Sequence, residues 1–219
     1  VDSPLWKATQ HPISYVWGPE SDPGDNNNGM LYRLVFSILN ALQPNEKYER
    51  AIKACDNLGK VYEANKAKFA ESAKAFGKKY KNNKLIYTMS SGPCYGVAYS
   101  FAICLLQEMQ WIHSGTIHTG EFFHGPFEVT DANTPFVIQV SEGSTRELDE
   151  RCLKFLHTYA KRIEVLDAKE LGLSVIDPAV VDYFNHSLFN NVYPIYNHAL
   201  AETRQHPLTT RRYMWKVAY

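Results

Sequence analysis

Cysteine is scarce in this chain of 219 residues, and Cys55, Cys94, Cys104 and Cys152 form no C-x-x-C pair. That excludes a small disulfide-stapled scaffold. Free thiols in a reducing compartment are expected, and hence a cytoplasmic protein. Long apolar runs are missing: none approaches the ~20 residues of a membrane-spanning helix, so no membrane partner is expected. An excess of charge is missing too. Lys+Arg and Asp+Glu each number 23 and cancel. No pull toward nucleic acid or anionic lipid follows from the chain as a whole. What is present is ordinary for a globular domain with a sizeable core, 45% apolar and 21% charged residues.

The chain opens on Val1, with no signal-peptide pattern. D-S-P-L-W and then I-S-Y-V-W read as a loop and a closing strand with no earlier element to pair with. The expectation is a start inside a larger protein. Residues 1–25 would be the tail of a preceding domain with its linker, and residues 26–219 the second domain. The breaker-rich stretch 18–29 supports a linker there. Residues 30–42 are apolar at helical spacing, through Leu31, Leu34, Val35, Ile38, Leu39 and Leu42, and Pro44 stops them. A helical region follows over 46–84, with eleven Lys/Arg against five Asp/Glu. No aromatic side chains interleave with those bases in a way that suits base stacking. This is a solvated helix with Leu58, Val61, Tyr62 and Phe69 turned inward, and no nucleic-acid partner is expected.

From there strands alternate with helices. Strands are predicted at 84–91, 135–141 and 162–167, and helices at 95–112, 144–161 and 178–203. Such alternation means parallel βαβ units, so the fold class is α/β, a three-layer αβα sandwich with a mostly parallel sheet. Tyr183, Phe184, Leu188, Phe189, Val192, Tyr193 and Tyr196 of the last helix are too many aromatics and aliphatics for solvent. They are expected to seal the sheet or a subunit interface. The tail over 211–216, R-R-Y-M-W-K, is basic and aromatic.

Three patterns carry chemistry. Glu108 is the only charge on the apolar helix 95–112, and a carboxylate in such surroundings either raises its pKa or finds a donor. A Glu whose head reaches water at a helix end is the plainer reading. Ser90, Ser91 and the Gly92 backbone follow a strand, at the sheet edge where α/β folds place ligands. Plain helix capping by Ser91 would use the same atoms. His113, His118, Glu121 and His124 are zinc-ligand types, but their spacing gathers no two imidazoles on one helix face, and no metal is expected. The loop 141–147, S-E-G-S-T-R-E, fits a capping box through Ser144 and Glu147 better than a phosphate cradle, because Glu142 and Glu147 repel an anion. Cys94 stands at a helix start, where a thiol pKa can fall. Nothing marks a base for it, and a structural role is preferred.

Glu108-Met109-Gln110-Trp111-Ile112-His113, followed by Gly120-Glu121-Phe122-Phe123-His124-Gly125-Pro126, resembles the paired motif of the sugar isomerase (SIS) domain. Over nearly the whole chain the similarity extends to deglycases of phosphorylated Amadori compounds, the fructoselysine 6-phosphate and 6-phosphofructose-aspartate types. D-A-N-T-P-F and H-P-L-T-T-R-R-Y-M-W-K carry that extension. The resemblance implies two SIS domains in tandem, of which this is the second. It implies Glu108 as the base that moves a proton between adjacent sugar carbons. It implies His124 as the histidine that opens the ring or assists the proton transfer, supplied by a neighbouring subunit, so that the active form is a homodimer or larger. Lys216 falls near a lysine used by isomerase relatives, and with Ser90 and Ser91 it is a candidate for substrate binding. No metal or redox cofactor is implied. The phosphate loop of the first SIS domain is not found here. An aldose–ketose or aminosugar isomerase and a non-catalytic sugar-phosphate-binding module are the alternatives.

Overall fold

The computed structural model describes residues 3–16, 18 and 21–218. The chain divides into two compact units, residues 1–60 and 61–219.

The first unit is helical. A short helix, α1 (Pro4–Ala8), starts with proline in its first turn, and the Ser3 hydroxyl accepts the Trp6 N–H at 3.1 Å. Residues 13–16 take no regular conformation, so the strand expected at I-S-Y-V-W does not form over them; Trp17 lies outside the described residues. Helix α2 (Asn27–Leu42) is started by Asn26, whose side-chain oxygen accepts the N–H groups of Asn28 and Gly29 at 3.0 and 3.1 Å. Asn45 does the same for α3 (Glu46–Ala54). Phe36 of α2 meets Tyr48 of α3 with ring centroids 6.2 Å apart. Leu31, Leu34, Val35, Ile38, Leu39 and Leu42 of α2 are exposed. A 3₁₀ turn, Cys55–Asn57, breaks the helical region expected over 46–84, and α4 (Leu58–Tyr80) continues from it into the second unit.

The second unit holds a four-stranded sheet in the order β2-β1-β3-β4, parallel throughout: β1 (Leu85–Ser90), β2 (His113–His118), β3 (Pro135–Val140) and β4 (Arg162–Asp167). Parallel neighbours require crossovers. The one from β1 to β2 is α5 (Tyr95–Ser100) continued by a π-helical stretch, Phe101–Met109; the one from β3 to β4 is α6 (Arg146–Tyr159). All six residues of β3 are buried, as a central strand covered on both faces must be. Against one face, Met89, Phe136 and Ile138 pack with Phe122 and with Cys152 and Leu156 of α6. On the Thr88 side, α5 lies close enough for the Thr88 hydroxyl to donate to the Ala98 carbonyl at 3.0 Å. The final helix, α7 (Asn185–Arg204), follows a 3₁₀ turn at Val181–Phe184. Its Tyr193 stacks flat on Phe101 at 3.9 Å, and Tyr196 meets Phe76 of α4 at 5.3 Å. The aromatics of the last helix therefore seal the core.

Two further elements, in the second unit, differ from the sequence expectation. His113–His118 is a strand, not part of a loop. As an edge strand it pairs, among the described residues, with β1 alone, so H-S-G-T-I-H needs no apolar alternation. The helix expected over 95–112 ends at Met109 and is wound as a π-helix over its second half.

Candidate functional site

Because α5 and the π stretch run back against β1, Glu108 lies at the amino edge of the sheet, beside the start of β2. Regular π-helix is rare and is associated with functional positions. Its exit is tight: the Ile112 N–H donates to the Leu106 carbonyl at 2.9 Å, and Trp111 takes a left-handed backbone with φ 54°. That conformation costs a bulky residue about 1–2 kcal/mol. The end of α7 holds the exit in place. Arg204 donates to the Gln110 carbonyl and the Gln110 amide to the His206 carbonyl, both at 3.1 Å.

Glu108 finds a donor. Arg211 Nη2 lies 2.8 Å from its Oε1, and the two side chains are 8% and 26% exposed for Arg211 and Glu108. The carboxylate is thus half-buried and ion-paired, where the sequence suggested dry surroundings. Arg211 is itself clamped: Nη1 donates to the Leu208 carbonyl at 2.6 Å and the Thr210 carbonyl at 3.0 Å. Lys216 Nζ donates to the Arg211 carbonyl at 2.6 Å, so that lysine fastens the turn that aims the arginine. A cleft of about 600 Å³ opens here, lined by Glu108, Trp111, His113, Arg211, Arg212 and Tyr213 among others. The volume is in the range of small-molecule sites. Beside it, His206 meets the Trp111 ring edge-on at 4.6 Å. Burial, then the charges of Arg204 and Arg212, hold His206 below the usual histidine pKa.

Ser90 and Ser91 stand at the opposite, carboxyl edge, and both are fully buried. Ser91 precedes the 3₁₀ turn Gly92–Cys94, but its hydroxyl caps no N–H there and donates instead to the Thr145 carbonyl at 3.2 Å. Gly92, at φ 49°, lets the turn press on Thr145, whose methyl would lie 2.9 Å from an added Cβ. Asp149, fully buried, accepts the Ser141 N–H at 2.9 Å, the Ser141 hydroxyl at 2.7 Å and the Thr119 hydroxyl at 2.8 Å. The expected capping box at Ser144 and Glu147 does not form. Thr145 is the N-cap residue, and Ser144 instead gives both its N–H and its hydroxyl to Asp182, at 3.3 and 2.6 Å. Those are the donors an anion would use, and the chain's own carboxylate takes them. Arg146 forms a forked pair with Asp167 at 2.9 and 2.7 Å. Cys94 is fully buried, and burial pushes its thiol far up rather than down.

His124 also follows the carboxyl end of a strand. Its turn, Phe122–His124, is anchored by buried Phe122 amid Phe123, Phe127 and Phe155. The imidazole itself is 73% exposed, and among the described residues its one polar contact is Glu121, at 3.3 Å. A strand of six residues spans roughly 16 Å between its ends. Glu108 and His124 of one chain accordingly sit at opposite edges of the sheet, and so do His113 and His118. Among the described residues no three His, Cys, Asp or Glu side chains gather as a metal site. The structure brings Glu108 together with Arg211, Arg212 and Trp111, of which the sequence marked only the basic-aromatic tail.

No family model matches the chain. Over its whole length it is 47% identical to fructosamine deglycase FrlB of Bacillus subtilis, and covers 66% of that protein. It is 26% identical to fructoselysine 6-phosphate deglycase of Escherichia coli, over 78% of the chain and 50% of that protein. The crystal structure of a proposed phosphosugar isomerase from Salmonella typhimurium superposes on it with a TM-score of 0.92, at 40% identity, over 100% of this chain and 68% of that one. The chain spans about half to two thirds of the length of the curated relatives it matches. The fold is thus the α/β fold of the phosphosugar isomerase structure it superposes on. The chain belongs to the sugar isomerase (SIS) family, in the branch of the fructosamine and fructoselysine 6-phosphate deglycases.

Proposed function

We propose that this chain carries the acid/base site of a cytoplasmic deglycase for 6-phosphofructosyl amino acids. The observation that carries the reading is whole-length similarity to a protein named for deglycation, and the cleft around Glu108 supports the residue roles. Residues 26–219 would form the second of two SIS domains, after the tail of the first in residues 1–25.

The chemistry follows from the substrate, an open-chain ketoamine with its nitrogen on C1 and a carbonyl at C2. Glu108 removes a proton from C1 as the C2 oxygen gains one, giving an enaminol. The same carboxyl returns the proton to C2, which leaves an imine between C1 and nitrogen. Water adds to that imine and expels the amino acid, giving glucose 6-phosphate. The C2 carbonyl takes up the electron pair when C1 loses its proton, and the nitrogen lone pair drives the return of a proton to C2. A placed proton donor–acceptor of this kind contributes roughly 10²–10⁴-fold in rate. Arg211 fixes the direction of the carboxylate. His124 of the partner subunit opens the sugar ring. An imidazole so exposed, at the far edge from its own Glu108, suits a site completed across a dimer.

Full-length protein given 6-phosphofructosyl-glycine should release glucose 6-phosphate, read with a coupled dehydrogenase. Glu108→Gln and His124→Ala should each abolish turnover with unchanged melting temperature. Coexpressed, the two variants should regain activity at about one quarter of the sites, since half the dimers are mixed and one site in each is intact. No recovery would place both residues in one subunit's site. Interconversion of fructose 6-phosphate without amine release would identify an isomerase, and binding without turnover a sensor.

A further inference from the structure

We infer that Arg212, laid across Trp111 in the cleft that holds Glu108, is the subsite for the carboxylate of the released amino acid. The inference rests on the deglycase reading and adds the substrate class: adducts of amines that carry a carboxylate next to the nitrogen.

Among the Arg, Lys, Asp and Glu side chains lining the cleft, Glu108 and Arg211 pair with each other. Arg212 has no hydrogen bond or ion pair among the described residues; its guanidinium lies 4.1 Å from the centre of the Trp111 ring. Stacking on an indole holds the plane of a guanidinium while leaving its edge N–H groups to a ligand. The platform is built at a cost, since Trp111 reaches the wall through its left-handed backbone. His206 also packs edge-on against the indole. A fork of parallel donors fits a carboxylate or a phosphate equally in shape.

Charge and connectivity choose between them. Once Glu108 and Arg211 cancel, this wall offers one positive charge, which matches a carboxylate. A phosphate monoester carries nearly two negative charges at neutral pH, and here it would stand beside Glu108. In the substrate the reacting C1 must lie against Glu108. The carboxylate is attached through the nitrogen on that same carbon, whereas the phosphate is at the far end of the sugar. The anion that shares a cleft with the base is therefore the carboxylate.

The test compares 6-phosphofructosyl-glycine with 6-phosphofructosyl-methylamine, which differs only in lacking the carboxylate. In full-length Arg212→Met, kcat/KM for the glycine adduct should fall roughly 10–100-fold further than for the methylamine adduct. Arg212→Lys should recover part of that difference. Equal losses on both adducts would overturn the subsite alone and hand Arg212 to the phosphate, and no loss on either would overturn the subsite and leave Arg212 out of substrate binding. Turnover of neither adduct by the wild type would overturn the deglycase reading and the subsite with it.

Discussion

The two edges of the sheet use the same residue types to opposite ends. At the carboxyl edge Asp149 is fully buried and its oxygens accept from Ser141 and Thr119. Asp182 fills the donors of Ser144, and Arg146 is locked to Asp167. At the amino edge Glu108 is half-buried, with Arg211 its one polar partner among the described residues, and Arg212 is left for a ligand. Saturated polar groups hold a fold together; partly committed ones beside a cleft are available for chemistry. The comparison teaches that a hydroxyl-rich loop at the expected ligand edge is no evidence of a site until its donors are known to be unspent.

Exchanging the two carboxylates for neutral groups should separate the edges most sharply. Asp149→Ala orphans three buried donors and should cost about 3–5 kcal/mol in urea denaturation. Glu108→Gln should cost under about 1 kcal/mol and remove catalysis. Comparable stability losses would erase the distinction.

Arg146→Met should come next, at about 2–3 kcal/mol, because it leaves Asp167 half-buried without its forked partner. Thermal melts of the variant and of wild type check this.

Acid should loosen the edges in order. Burial alone would raise the Asp167 pKa, but the hydrogen bonds from Arg146 and the Lys169 N–H outweigh it and hold the carboxyl below its usual value. A depressed carboxyl stabilises above the usual carboxylate range, and that stability is lost as pH falls through the lower folded value. His206 is depressed as well, by burial first and then by Arg204 and Arg212. Its neutral form is favoured, so its contribution is full above pH ~6.5 and is lost on acidification below it. His186, depressed by burial, adds to the same decline. Urea midpoints should therefore begin to fall below pH ~6.5, before Asp167 titrates, and His206→Asn should flatten part of that first decline. A variant profile identical to wild type would remove His206 from the account.

The smallest effect belongs to Ser91→Ala. It removes one hydroxyl-to-carbonyl bond within the carboxyl edge and should cost about 0.5–1.5 kcal/mol, with kcat on the phosphorylated adduct held. A large kcat loss instead would make Ser91 part of the active site.

Much of this could be read from the chain. The strands at 84–91, 135–141 and 162–167 are apolar runs between helical patterns, and the aromatics of α7 announced burial. The edge strand could not be read, because H-S-G-T-I-H has no apolar period and is held by pairing to β1 alone. Ser144 and Glu147 matched a capping box by spacing, yet Asp182, distant in sequence, outcompeted the local bond. The partner of Glu108 was hidden for the same reason: Arg211 lies 103 positions along the chain. The basic-aromatic tail was visible as a composition with no role attached.

By itself the sequence determined the α/β class and three of the four strands, since these rest on short-range periodicity, and the pairing of Glu108 with His124 was implied by family resemblance. Tertiary structure alone decided which donors of the 141–147 loop were spent, that Ser90 and Ser91 are buried at the edge opposite the cleft, and that Glu108 meets Arg211 while Trp111 carries Arg212. The physical reason is that hydrogen bonds and ion pairs go to whatever partner folding brings within about 3 Å, and the chain order does not encode that distance.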